Sequence, residues 1–175
     1  MKNTIRAAFA LGHNSVMTEW RQLRNGLTAQ MTDLDHLIQV ADFWSCAPLQ
    51  TRLLDWDNPE TWLDAWQLVS LNRYDESSVA LGMFYSLLYS SDGRWKASRM
   101  NIILATDEDT SVQQLMLLVD DQWLLNCEYA SVLNVNDRKN NLRIQEKYCY
   151  NGRAFEIVPN SIINMWLEDS TAQLG

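Results

Sequence analysis

The sequence predicts an α+β fold: N-terminal helices and a central buried helix packed on a mainly antiparallel sheet. Three observations lead there. Apolar residues recur at helical spacing through the first half of the chain. After Asp92-Gly93 they give way to alternating or continuous apolar runs of strand length. Asn151-Gly152 then joins two such runs with a hairpin signature, so helices come first and antiparallel strands follow.

The elements follow in order. In "VMTEWRQLRNG", Val16, Trp20 and Leu23 share a helical face and Gly26 is a plausible stop. In "TDLDHLIQVADFW", Thr32 and Asp35 have capping-box spacing; Leu34, Leu37, Ile38, Ala41 and Trp44 form one face, and Pro48 bars continuation. "DNPETWLDAWQLVSL" reads as a helix capped by Asn58, with Pro59 at its first position, Glu60 at the positive dipole end, and Trp62, Trp66 and Val69 recurring. From Glu76 to about Tyr89 nearly every position is apolar, which marks a central helix.

"MNIILA", "QQLMLLV" and "QWLLN" read as strands, the last two joined across Asp120-Asp121, a turn without the usual glycine. "LRIQEKYCY" places Leu142, Ile144, Tyr148 and Tyr150 on one face, with Glu146 as the exception, and leads through Asn151-Gly152 into "AFEIVP". "SIINMWLED" reads as a last short helix presenting Trp166. No linker or repeat divides the chain, so residues 1–175 are expected to form a single domain, with 159–175 as a tail.

Composition narrows the partners. The chain is 47% hydrophobic and 21% charged, which is globular. Its net charge of -8 disfavours a nucleic-acid surface, and the basic clusters Arg94/Lys96/Arg99 and Arg138 to Arg153 read as solvated faces. Cys46, Cys127 and Cys149 form no CxxC pair, which fits a reducing compartment. Lys2 and Arg6 precede an apolar patch of about six residues, short of a signal-peptide core, and no run approaches the ~20 apolar residues of a membrane span. The expectation is a soluble protein made in the cytoplasm, with no membrane partner.

"RYDESSVALGMFYSLL" has the form of a catalytic helix entered from a polar loop, yet it carries no thiol. The alternatives nearby are weak. Ser77 and Ser78 lack a GxSxG turn and read as first-turn caps. Asp75 and Glu76 are sequence neighbours, which diverge on a helix. His13 and His36 both precede the helix, and His36 reads as solvated on a polar face. "TDEDT" lacks the glycine and glutamate of an EF-hand loop. Cys127 and Cys149 read as small buried hydrophobes, and no Gly-rich phosphate cradle is present. Neither metal nor cofactor is expected.

From Trp62 to Asn126 the chain resembles the transglutaminase-like cysteine peptidase superfamily, above all the small versions encoded by tailed bacteriophages. The resemblance implies a transglutaminase-like core over 59–158, preceded by a helical extension over 1–58. It also implies a Cys at the N-terminus of the central helix, a His opening the second strand, and an Asp after a "WLLD"-like strand. Here those positions fall on Asp75, Gln114 and Asn126, with Tyr74 and Ser77 beside them in the expected cleft. A helix-terminal carboxylate is a poor nucleophile compared with a thiolate, and an amide cannot shuttle a proton as imidazole does.

The expected function is therefore a non-catalytic structural or assembly protein, a phage virion component of the neck, tail or baseplate. It would lie in the virion or host cytoplasm and act through contacts with other virion subunits. Eight tryptophans fit a Trp-rich core with a share left for an interface, for which Trp56, Trp62 and Trp166 are the candidates. Two alternatives stand beside it: a host-directed protein-binding factor, and a hydrolase or transferase rewired around Asp75, Ser77, Ser78 or Cys127.

Overall fold

The computed structural model describes residues 1–51 and 54–159; the expected tail helix and Trp166 lie outside the described residues. The first layer is helical. α1 (Lys2–Leu11) and α2 (His13–Gly26) meet at Gly12, whose φ of 112° is a conformation that glycine alone adopts readily. The sequence does not announce α1, because its buried stripe is only Ile5, Ala8 and Phe9. α3 (Asp33–Trp44) opens with the expected capping box: Asp35 N–H donates to Thr32 Oγ1 at 3.1 Å, and Thr32 N–H to Asp35 Oδ2 at 3.0 Å.

The helix expected from Asn58 is broken. Pro59–Thr61 make a single 3-10 turn, Trp62 is extended, and α4 (Ala65–Leu71) starts afresh at Asp64. Asp64 and Gln67 close a second capping box there, a stronger start signal than Asn58, which makes no side-chain cap.

α5 (Glu76–Leu88) is the central helix, buried from Ser77 through Leu87. Its middle carries two small residues for a reason. A Cβ on Gly82 would sit 2.5 Å from the Trp44 ring, so glycine lets that indole lie against the helix backbone. Four residues on, Ser86 Oγ accepts the indole N–H of Trp20 at 2.9 Å and of Trp44 at 2.8 Å, and donates to the Gly82 carbonyl. One hydroxyl thus satisfies two buried indoles that would otherwise be costly to desolvate.

The sheet has six antiparallel strands in the order β4-β3-β2-β1-β5-β6. These are β1 (Met100–Asp107), β2 (Val112–Val119), β3 (Trp123–Leu125), β4 (Val132–Asn134), β5 (Leu142–Tyr150) and β6 (Phe155–Ile157), with a one-turn helix α6 (Val135–Arg138) before β5. Ile102, Leu104, Leu115, Leu117, Val119 and Tyr148 face α5 in the main core. Ile103, Ala105, Met116, Leu118 and Leu124 form a smaller cluster on the opposite face. Asp120 and Asp121 make the glycine-free turn themselves, at φ 51° and 53°.

The single apolar face expected for β5 is split. Leu104 pairs with Glu146 and Ala105 with Ile144, so Gln145 is a bulge residue. Leu142 and Ile144 consequently pack away from α5, whereas Tyr148 and Tyr150 pack toward it. One extra residue resets the alternation, and sequence periodicity alone does not reveal it.

Candidate functional site

The candidate site is the N-terminus of α5 with the strand ends beside it. Asp75 is the helix cap: its carboxylate accepts the Ser78 N–H, while Ser78 Oγ accepts the Asp75 N–H at 2.8 Å. Asp75 is only 4% exposed. Ser77, equally buried, accepts the Trp56 indole N–H at 3.1 Å, and the Tyr148 hydroxyl donates to the Trp56 carbonyl at 2.8 Å. Trp56 is thus tied at once to the first turn of α5 and to β5. A local turn supports it: Asp55 accepts from Asp57 N–H and Asn58 Nδ2, and its carbonyl accepts the Trp62 indole N–H at 2.7 Å.

Asn126 follows β3 in the left-handed region, at φ 64°, which Asn tolerates better than most residues. Its amide nitrogen donates to two main-chain carbonyls, Glu76 at 2.5 Å and Leu115 at 2.9 Å. It therefore pins the first residue of α5 to β2. Gln114 in turn donates to the Asn126 carbonyl, and at 3.4 Å to that of Cys127.

The three positions expected to share one cleft are therefore brought together only in part. Asn126 reaches the first turn of α5, one residue beyond Asp75. Gln114 pairs with Ala105 and alternates with Leu115, so its side chain lies on the sheet face away from α5. It lines a different pocket, of about 320 Å³, with Asp107, Met116, Cys127, Glu128 and Arg138.

Other expected site residues also move. Tyr74 does not line a cleft: it is fully buried, packs edge-on against Phe9 and Trp44, and burial pushes its phenol above the ordinary range. Trp62 is no surface anchor, since it is 8% exposed and packs on Tyr148 and Phe155. Trp56 is half-buried over Ser77. Trp66, which recurs with Trp62 and Val69 at helical spacing, is 49% exposed, beside Tyr89 and under Arg24.

His36 is not solvated but fully buried, accepting the Trp95 indole N–H. Arg94 and Arg99 are not a free basic face either, because Asp33, Asp92 and Asp120 bind them in one network. Arg138, which the sequence placed in a solvated basic face, instead turns its guanidinium to Asp107 and Glu128 at the pocket behind Gln114. No spacing signal links those positions, which are far apart in the chain. Burial pushes the Cys127 thiol up, and Arg138 beside it works the other way without prevailing.

Among the described residues no group of three or more His, Cys, Asp or Glu side chains converges on a point that could hold a metal ion. In the acidic run Thr106 to Thr110, Asp107 accepts the N–H groups of Asp109 and Thr110 and binds Arg138, while Asp109 accepts from Asn141. No described helix is long and apolar enough to cross a membrane.

Comparison with known proteins adds to this at the level of fold. No family model and no curated protein matches the chain. Among solved structures it is similar to Legionella pneumophila LapG, with a TM-score of 0.64 at 13% identity over 89% of this chain and 85% of that one. EGTA-treated LapG gives 0.64 at 14% identity over 91% and 87%; calcium-bound LapG gives 0.62 at 14% over 81% and 77%. Helices followed by a six-stranded antiparallel sheet, with a buried helix entering beside the strand ends, give this chain an α+β fold of the transglutaminase-like kind, shared with LapG.

Proposed function

We propose that this chain is a non-catalytic protein-binding component built on a transglutaminase-like scaffold, and that it serves as a structural or assembly part of a tailed-phage virion. The observation that carries the non-catalytic reading is the chemistry around the first turn of α5. A capping carboxylate and two buried serines stand there beneath the chain's own Trp56, and the nearby Asn126 amide braces two carbonyls. Acyl transfer needs a thiolate or activated hydroxyl with a base in reach. Ser78 is committed to the cap, Ser77 accepts from Trp56, and His36 is bonded to Trp95 in the helical layer. LapG is known in a calcium-bound form. The carboxylates near Gln114 are committed to Arg138, Asn141 and their own turn, so calcium has no part in the proposal.

The virion setting rests on the sequence resemblance to small phage-encoded versions of the superfamily. Two experiments test the two halves. Purified protein is incubated with peptide and ester libraries and with broad nucleophile-directed probes, beside an Asp75→Ala control. No turnover and no labelling is expected, and turnover that vanishes in the control would reverse the reading. Mass spectrometry of purified particles should find the chain in mature virions, and its absence there would remove the virion role.

A further inference from the structure

A second pocket, of about 280 Å³, lies between α4 and the first turn of α5. Its walls are apolar: Leu54, Trp62, Leu63, Leu68 and Leu71. Among the described residues the one cation lining it is Arg73, exposed at the rim beside exposed Leu71. Its guanidinium makes no hydrogen bond or ion pair among the described residues, in contrast to Arg94, Arg99 and Arg138, each held by carboxylates. The other polar groups are engaged within the chain: Ser78 in the Asp75 cap, Thr61 on the Asn58 carbonyl, and Asp55 on its own turn.

We propose that this pocket binds the C-terminal residue of a partner protein, an apolar side chain seated against Leu68 and Trp62 and its α-carboxylate held by Arg73. The proposal rests on the protein-binding reading and names the chemistry of the partner. A planar guanidinium suits a carboxylate through two parallel hydrogen bonds. The cavity is slightly smaller than the roughly 300–1,000 Å³ of sites for free small molecules, which fits one residue and not a long acyl chain. Exposed Leu71 and Arg73 stand at the rim with exposed Asp55 and Thr61, so the carboxylate and the departing backbone of the ligand stay on the solvent side.

The test uses the whole protein, titrated by two-dimensional NMR with N-acetyl-Leu-Leu, with its C-terminal amide, and with decanoate. The acid should bind about tenfold or more tightly than the amide, the ratio one lost charged hydrogen-bond pair gives. Arg73→Gln, at an exposed position, should erase that preference while leaving the spectrum of the fold intact. Equal binding of acid and amide, an unchanged preference in the variant, no binding at millimolar concentration, or binding of decanoate alone would each overturn the assignment. Mass spectrometry of the recovered peptide separates the two readings. Cleaved peptide defeats the non-catalytic function and this proposal with it, whereas intact, unbound peptide defeats only the pocket.

Discussion

His36 Nδ1 accepts the indole N–H of Trp95 at 3.0 Å, while Nε2 of the same ring lies 2.9 Å from the Thr28 carbonyl. An indole N–H only donates and a carbonyl only accepts, so the pair fixes the tautomer: Nδ1 is bare and Nε2 carries the proton. Both rings are at most 1% exposed, and together they fasten the segment before β1 to α3. Trp95→Phe should therefore cost about 1–3 kcal/mol, because it strands the Nδ1 acceptor inside the core. His36→Ala should cost about 2–4 kcal/mol, since it adds a cavity to a stranded indole donor. Urea midpoints with an unchanged slope check both, and nitrogen-15 shifts of the His36 ring should report the Nε2–H form.

The ion-pair network around that clamp gives the chain an acid limit. Burial pushes Asp33 and Asp92 upward, but bonds from Arg99 and Arg94 to Asp33, and from the Arg94 backbone and side chain to Asp92, outweigh it and hold both below the usual carboxylate range. Carboxyls depressed in the folded state add stability that is complete above their unfolded value of about pH 4. That stability is lost as pH falls through their folded values. The Asp33 side chain is 44% exposed, so solvent limits its share to about 1 kcal/mol or less. Urea midpoints measured from pH 6 down to pH 3 should drop, and Arg94→Gln should flatten that drop.

Packing of Trp44 on α5 makes an opposite prediction from helix propensity. Gly→Ala in a helix interior ordinarily gains about 0.5–1 kcal/mol. At Gly82 the added methyl would lie 2.5 Å from the Trp44 ring, and the ring is enclosed by Phe9, Phe43 and Tyr74. Gly82→Ala should therefore destabilise, by about 1–3 kcal/mol, as overpacked cores do. Ser86→Ala removes the acceptor shared by Trp20 and Trp44 and should cost about 2–4 kcal/mol. Thermal unfolding followed by tryptophan fluorescence reads both effects.

What the sequence disclosed and what it withheld divide along physical lines. Local signals held where the deciding atoms are neighbours in the chain, as at the Thr32/Asp35 box and the burial of α5. They failed where a distant partner decides. His36 looks polar on its own helix, and only Trp95, far along the chain, makes it a core residue. Gln114 sits at the strand end where the resemblance expects an imidazole, but the β1–β2 register turns it away from α5. Trp62 read as surface because aromatic residues favour interfaces, and Tyr74 as cleft because the resemblance puts it beside Asp75, whereas aromatic contacts from other elements bury both. At the candidate site the sequence named Asp75, Ser77, Ser78 and Asn126, and it took Trp56 for an interface residue with no sign that it covers Ser77.

Asn126 supplies the sharpest test of whether the strand end is braced or poised. Its amide donates to the Glu76 and Leu115 carbonyls, so an acid at this position would face two acceptors and have no proton to offer above its titration range. Asp tolerates the left-handed φ as Asn does, which removes backbone strain as a confounder. Asn126→Asp should thus lose about 1–3 kcal/mol at pH 7.5, the cost of removing the shared donor and setting a carboxylate against two carbonyl oxygens. The carbonyls would raise the folded-state pKa of the new carboxyl, so its protonated form is the stabilising one. The loss should shrink as pH falls toward about 4 and the acid regains a donor. Urea midpoints of the two proteins at pH 7.5 and pH 4 measure the difference. Equal stability at pH 7.5 would mean that the amide is not engaged, and that the strand end accepts an acid without cost to the fold.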